Sequence, residues 1–351
     1  MCAIAALLCL SAGAQPHKSL MPTPDGTYMF AERDTCNLYM DIYEPEKATT
    51  KFATGREKPT VIFMFGGGFV GGSRGDADLA PLFNAMLREG LRIVAIDYRL
   101  GLKGQKNVGL GSVDAIDNAI HIAVEDLFSA TNFIIDNSEE LGIDTGNMVI
   151  MGSSAGAISV LQAEYELCNG SKWAQVLPEG FNYRGVVSLA GAILSRNGAL
   201  KYAKEPCPMV LFHGTEDKVV NYRQTRFFKL GWYGSNTIAS VCRKNGYNHC
   251  IYRYEGARHE IAGSGLENLP AIMEFLEVNV SDNISRSIDA TVTDPRIEPS
   301  TPPSASYIIE KRRLNRRFSI TTQTFYSNTT QQVFAPEPCS QDCCCRYACW
   351  R

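Results

Sequence analysis

Ser154, Asp217 and His259 supply a hydroxyl, a carboxylate and an imidazole, the three side-chain types that nucleophilic acyl chemistry needs. A serine hydroxyl is a weak nucleophile by itself. It needs a base to take its proton and an acid to hold that base in the right tautomer. Each of the three follows an apolar run. Met148-Val149-Ile150-Met151 leads into Gly152-Ser153-Ser154-Ala155-Gly156, Met209-Val210-Leu211-Phe212 leads into His213-Gly214-Thr215-Glu216-Asp217, and Ile251-Tyr252-Arg253-Tyr254 precedes Gly256-Ala257-Arg258-His259. A Gly-x-Ser-x-Gly run that ends a strand and opens a helix forces a sharp, strained turn, with the serine hydroxyl exposed at the carboxyl end of the sheet. Side chains at the flanking glycines would collide with neighbouring backbone. The helix that follows aims its N-terminal N–H groups at charge developing on the serine's partner.

A fourth motif lies upstream, where Val61-Ile62-Phe63-Met64-Phe65 breaks into Gly66-Gly67-Gly68. The chain order Ser154, Asp217, His259 differs from those of chymotrypsin-like and subtilisin-like enzymes and is the order of the α/β-hydrolases. Over residues 36–280 the chain resembles that family. It is most similar to esterases with an HGGG-type loop, including secreted bacterial carbohydrate esterases that remove acetyl or feruloyl groups. The resemblance implies a Ser154–His259–Asp217 triad and an oxyanion hole made by the N–H groups of Gly67, Gly68 and Ala155. It implies no metal and no organic cofactor, and a small-molecule or polysaccharide-linked ester as substrate. Phe65 stands where the family's loop usually begins with His. That imidazole mostly braces the loop, so its replacement bears on rigidity more than on chemistry.

Other candidates have plainer readings. Glu216 rivals Asp217 as the acid. Ser153 is the variable position of the elbow and is expected to pack. His213 opens its turn and reads as structural. His17 lies in the N-terminal stub, His121 on a long helix and His249 in a turn. Asp114, Asp117 and Asp126 are expected on that helix's solvated face.

The elements that must position these groups alternate between strand and helix. Residues 38–43 alternate as an edge strand, 78–89 have helical spacing, and 92–96 form a strand running into Asp97-Tyr98-Arg99-Leu100, a sequence that recurs in the family. A helix is expected over 113–136, with Ile116, Ile120, Val124, Leu127 and Phe128 as its stripe. Beyond the elbow strand come a helix over 155–165, a strand over 185–189 and the acid strand. A helix over 224–244, the histidine strand and a closing helix over 269–278 complete the pattern. Such alternation predicts an α/β fold, a doubly wound, mainly parallel sheet flanked by helices, with ligands bound outside the carboxyl ends of the strands. The connection 191–208 holds one helix at most, so the lid is minimal. Trp173, Phe181 and Tyr183, in the stretch 169–183, are either an aryl platform for substrate or ordinary packing.

With 351 residues and 45% hydrophobic content the chain can bury one large α/β domain. A net charge of −3 argues against nucleic acid and anionic membrane surfaces as partners. Residues 1–14 read as a signal peptide, an apolar run from Ile4 to Leu10 followed by Ala12-Gly13-Ala14, too short to span a bilayer and pointing to a secreted or periplasmic protein. The catalytic domain is then 15–280. Residues 281–351, rich in Pro, Ser and Thr, carry a basic cluster and end in five crowded cysteines that match no zinc spacing. They read as a disordered tail, a small binding module or a non-native extension. Cys242 and Cys250 either bridge or stay as free thiols. Taken together, a serine carboxylesterase for short-chain or aromatic acyl esters is expected. An amidase or peptidase of the same fold, or a non-catalytic binding protein, is the alternative.

Overall fold

The computed structural model describes residues 20–105 and 113–293 and the backbone of 323–326. The leader expected at 1–14 and most of the 281–351 tail lie outside the described residues. In chain order the strands are β1 (Gly26–Arg33), β2 (Cys36–Tyr43), β3 (Thr60–Met64), β4 (Ile93–Ile96), β5 (Met148–Ser153), β6 (Gly185–Leu189), β7 (Ala192–Ser195), β8 (Met209–Gly214), β9 (Gln224–Phe227), β10 (Leu230–Gly234), β11 (His249–Tyr254), β12 (Arg286–Val292) and β13 (Gln323–Tyr326). The α-helices are α1 (Ala80–Arg88), α2 (Val113–Asp136), α3 (Ser138–Leu141), α4 (Ala155–Cys168), α5 (Ser235–Asn245) and α6 (Leu269–Phe275).

Among the described residues the main sheet has the order β1-β2-β4-β3-β5-β6-β8-β11-β12-β13. It is parallel from β4 through β12 and antiparallel at its two ends. Strands β3, β4, β6 and β8 are buried at every position. That is why they read as unbroken apolar runs: a parallel strand is covered on both faces. Helix α2 occupies the expected span; Ile120, Val124, Leu127 and Phe128 of its expected stripe are fully buried, as is Ile134, while Ile116 is half-buried. It packs beside α4, which itself crosses β3, β5 and β6.

Four expectations are corrected. The strand 38–43 is not an edge, because β1 pairs outside it, from Gly26↔Ile42 to Arg33↔Cys36. The stretch 224–244 is helical only from Ser235. Its first part is the hairpin β9–β10, whose Thr225, Phe227, Trp232 and Tyr233 favour a pleated backbone. The connection 191–208 contains a strand: β7 pairs with β10, and Gln162 of α4 both donates to the Leu194 carbonyl and accepts from its N–H, each at 3.0 Å. The sheet also runs past residue 280. Strand β12 pairs parallel with β11, burying Ile288 and Ala290, and β13 pairs with β12. Cys242 and Cys250 are separate buried thiols, one against Met209 and the other facing Asn279.

Candidate active site

The turn at Ser154 is built as the glycine spacing requires. Ser154 has φ +50° and ψ −113°, in the left-handed half of backbone space where a non-glycine residue is strained by about 1–3 kcal/mol. Two hydrogen bonds hold it there. Its N–H donates to the Leu189 carbonyl at 2.9 Å, and its carbonyl accepts from Ile158 at 2.9 Å. A Cβ on Gly152 would strike the backbone of Gly156, and one on Gly156 would strike the Met64 carbonyl, so α4 can cross the sheet here only with glycine at both positions.

The structure brings Ser154, His259 and Asp217 together at the carboxyl ends of β5, β8 and β11. Ser154 Oγ lies 2.8 Å from His259 Nε2, and His259 Nδ1 lies 2.7 Å from Asp217 Oδ2. A carboxylate only accepts, so Nδ1 carries the proton and Nε2 presents its lone pair to the serine hydroxyl. Exposure grades along the chain of groups: Asp217 is buried, while Ser154 and His259 are half-buried. Burial alone would raise the Asp217 pKa. Donors from His213, His259 and the Val220 N–H outweigh it and hold the carboxyl well below the usual range. Asp217, not Glu216, receives the histidine. Ser153 donates to the Ala262 carbonyl at 2.7 Å, tying the elbow to the turn that carries His259.

The glycine loop lies over Ser154. A methyl added to Gly66 would sit 3.4 Å from Ser154 Cβ. Gly67 and Gly68 take φ +126° and +62°, and the Gly67 carbonyl closes the turn by accepting from Val70 and Gly71 at 3.1 Å each. Among the described residues no carbonyl accepts from the N–H of Gly67 or Gly68, and Ala155 begins α4, where the first N–H groups have no intrahelical partner.

Phe65 braces this loop in place of an imidazole. Its ring stacks on Tyr98 with centroids 4.4 Å apart and planes 26° apart, and the Tyr98 hydroxyl donates to the Phe65 carbonyl at 2.8 Å. Phe69, at φ +61°, returns its ring edge-on to Tyr98. The neighbours of Tyr98 anchor it. Asp97 accepts from Arg74 and from the Tyr39 N–H, and Arg99 pairs with Asp126 at 2.8 Å and Glu125 at 2.6 Å. Asp126 is therefore fully buried, taking Arg33 as well, and not solvated as expected; Asp114 and Asp117 pair with Arg196. Tyr98 was legible only as part of a recurring sequence; its hydroxyl's target needed the fold.

Trp173, Phe181 and Tyr183 are not brought to the site. They follow the C-terminal end of α4, whose 14 residues carry the chain about 21 Å from the serine. The Arg184 N–H donates to the Met148 carbonyl, which puts this segment at the opposite, N-terminal end of β5 and β6. Tyr183 is buried with its hydroxyl 2.7 Å from that of Thr131, Phe181 packs edge-on against it, and Trp173 stacks on His121 at 4.8 Å. Ordinary packing is the right reading. Among the described residues no cluster of three His, Cys, Asp or Glu side chains is placed to hold a metal ion, and no helix is long and apolar enough to cross a membrane.

The fold and the geometry define the class: the chain has the α/β-hydrolase fold. A family profile described as BD-FAE matches residues 40–167, and one described as Phospholipase/Carboxylesterase matches 111–279. Carboxylesterase 5A of Ovis aries is 36% identical over 123 residues, which is 35% of this chain and 29% of that protein. Liver carboxylesterase of Sus scrofa is 32% identical over 126 residues, 35% of this chain and 20% of that protein. The chain thus spans less than a third of these relatives' length. Among solved structures, propionate-bound esterase Est2 of Thermogutta terrifontis aligns with a TM-score of 0.53 at 21% identity, covering 74% of this chain and 96% of that one.

Proposed function

We propose that this protein is a serine carboxylesterase acting on short-chain or compact aromatic acyl esters. The observation that carries the reading is the hydrogen-bonded series Ser154–His259–Asp217 beneath a glycine loop in which, among the described residues, no carbonyl accepts from the N–H of Gly67 or Gly68. Ser154 Oγ attacks the ester carbonyl carbon as its proton passes to His259 Nε2. The carbonyl oxygen becomes an oxyanion held by the N–H groups of Gly67, Gly68 and Ala155. His259 then returns the proton to the departing alkoxide, leaving an acyl-serine. Water repeats the sequence, with His259 as its base, to release the acid. Asp217 fixes the imidazole tautomer and stabilises the imidazolium. Each well-placed oxyanion donor contributes about 2.7–4 kcal/mol to the barrier reduction.

The short acyl preference rests on the connection 191–208, which lies along α4 as β7. Support comes also from the structural neighbour bound to propionate. An acyl chain left partly in water gains little of the roughly 0.8 kcal/mol that each buried CH₂ is worth. Acetyl or feruloyl esters of polysaccharide belong to the same proposal, as does export, which rests on the apolar run Ile4 to Leu10. A series of p-nitrophenyl esters from acetyl to palmityl, with a hydroxycinnamate ester and an anilide beside it, tests the reading. The expected optimum lies between acetyl and butyryl or at the hydroxycinnamate. A lauryl or palmityl optimum with activation at a lipid interface makes the enzyme a lipase, and faster turnover of the anilide makes it an amidase.

A further inference from the structure

The acid of the site is held from two sides. Asp217 Oδ1 accepts from the N–H groups of Val219 at 2.8 Å and Val220 at 2.9 Å. Oδ2 faces two imidazoles, His259 Nδ1 at 2.7 Å and His213 Nε2 at 3.3 Å. A carboxylate offers about four acceptor positions; the Val219 and Val220 N–H groups and His259 Nδ1–H take three, and His213 Nε2, hydrogen-bonded to the Val220 carbonyl at 2.9 Å, faces the fourth. His213 is fully buried, and its protonation pattern follows from its neighbours. Nε2 lies between two groups that only accept, the Val220 carbonyl at 2.9 Å and Asp217 Oδ2, so Nε2 carries a proton. Nδ1 lies 2.8 Å from Ser235 Oγ at the first position of α5, and that hydroxyl can donate to it. Ser154, His259, Asp217, His213 and Ser235 therefore stand in succession, each within 3.3 Å of the next.

We propose that His213 is a positioning residue for catalysis. Its Nε2–H shares Asp217 Oδ2 with His259, fixing the plane of the carboxylate and withdrawing charge from it, while Ser235 keeps the ring in that tautomer. The inference rests on the proposed esterase mechanism and deepens it. The aspartate then meets His259 at one angle and with a set strength. Other groups around the pair are accounted for. Tyr222 is edge-on to the His213 ring at 5.6 Å, with its hydroxyl on Asn236. Arg253, beside His213 on β11, is paired with Asp289 of β12. Thr215 and Glu216, on the same turn, hold the Tyr254 and Ala257 carbonyls by their backbone N–H groups.

His213→Phe keeps an aromatic ring and removes the donor, whereas His213→Gln restores an N–H of similar reach. Turnover of p-nitrophenyl butyrate by the full chain is measured across pH for wild type and both variants. His213→Phe is expected to lower kcat roughly ten- to hundredfold, the worth of one hydrogen bond to a charged group, with KM little changed. The acid limb of kcat/KM is expected to move to higher pH, because an aspartate relieved of one donor attracts the His259 proton more strongly. His213→Gln is expected to recover most of kcat and to return the limb. A role in packing alone predicts the reverse: both variants lose melting temperature together, while surviving enzyme keeps the wild-type kcat and pH profile. Should His213→Phe not fold, the wild-type imidazole ¹⁵N spectrum decides: a second buried ring protonated at Nε2 and bare at Nδ1 supports the inference, and the opposite tautomer overturns it. Ser154→Ala is run in parallel. If it retains turnover, the esterase mechanism itself fails, which separates that outcome from failure of the role given to His213.

Discussion

Tyr98→Phe removes one buried oxygen atom and should nonetheless slow the chemistry. The Tyr98 side chain is 3% exposed, and its hydroxyl donates to the Phe65 carbonyl immediately before the three glycines. Losing that bond destabilises the fold by about 1–2 kcal/mol. In a domain of this size that is a fall in melting temperature of about 2–8 °C. The phenyl ring stays, so the stack on Phe65 persists and the loop is loosened rather than lost. Outright loss of one oxyanion donor costs about 10²–10³ in kcat, so partial displacement of Gly67 and Gly68 should cost about tenfold. KM should hardly move, because the affected contacts form only as the carbonyl oxygen gains charge. Steady-state kinetics on p-nitrophenyl butyrate, beside thermal unfolding, read both quantities. A variant with a lowered melting temperature and wild-type kcat would show that Tyr98 supports the sheet and not the loop, and would refute the bracing role.

Further outcomes follow from other contacts. Gly156→Ala should fail to accumulate as folded protein, or lose nearly all activity, since its methyl meets the Met64 carbonyl; normal expression and turnover would mean that α4 crosses the sheet less closely than described. A chain ending at residue 293 should keep more stability than one ending at 283, which loses β12, by about 3–5 kcal/mol for the buried Ile288, Ala290 and their ladder; equal denaturation midpoints would return the domain boundary to 280. Burial alone would lower the His121 pKa, but Asp117 and Glu166 raise it to about 9. Its contribution of about 2–3 kcal/mol is therefore fully present below the unfolded pKa near 6.5 and lost as pH rises through about 9. The cost of His121→Gln in urea melts should shrink over that window, and a cost independent of pH would rule out the ionised cluster.

The sequence made the cluster of Ser154, Asp217 and His259 legible because each follows an apolar run and the glycine spacing has one steric use. Helix α2 was equally readable, since a long amphipathic stripe has one period. What was missed depended on partners distant in the chain. β1 alternates between half-buried and exposed positions, so only its pairing with β2 marks it as a strand. The hairpin β9–β10 carries enough apolar residues to pass for a helix until β7 claims it as a neighbour. Asp126 looked like one of several acidic helix residues, and its burial required knowing that Arg33 and Arg99 arrive from two other elements. Trp173, Phe181 and Tyr183 had the right chemistry for an aryl platform but follow α4 to the wrong end of the sheet. His213 was visible in its motif, yet nothing in the sequence indicates that its Nε2 faces the same Asp217 oxygen as His259.

The identity of the nucleophile carries the account, and it is tested most directly by labelling the full chain with a fluorophosphonate ester and mapping the adduct by peptide mass spectrometry. One adduct per chain is predicted, on Ser154 Oγ, formed in step with loss of esterase activity and absent from Ser154→Ala. Transfer of the adduct to Ser153, or undiminished labelling and turnover in Ser154→Ala, would contradict the mechanism at its first step.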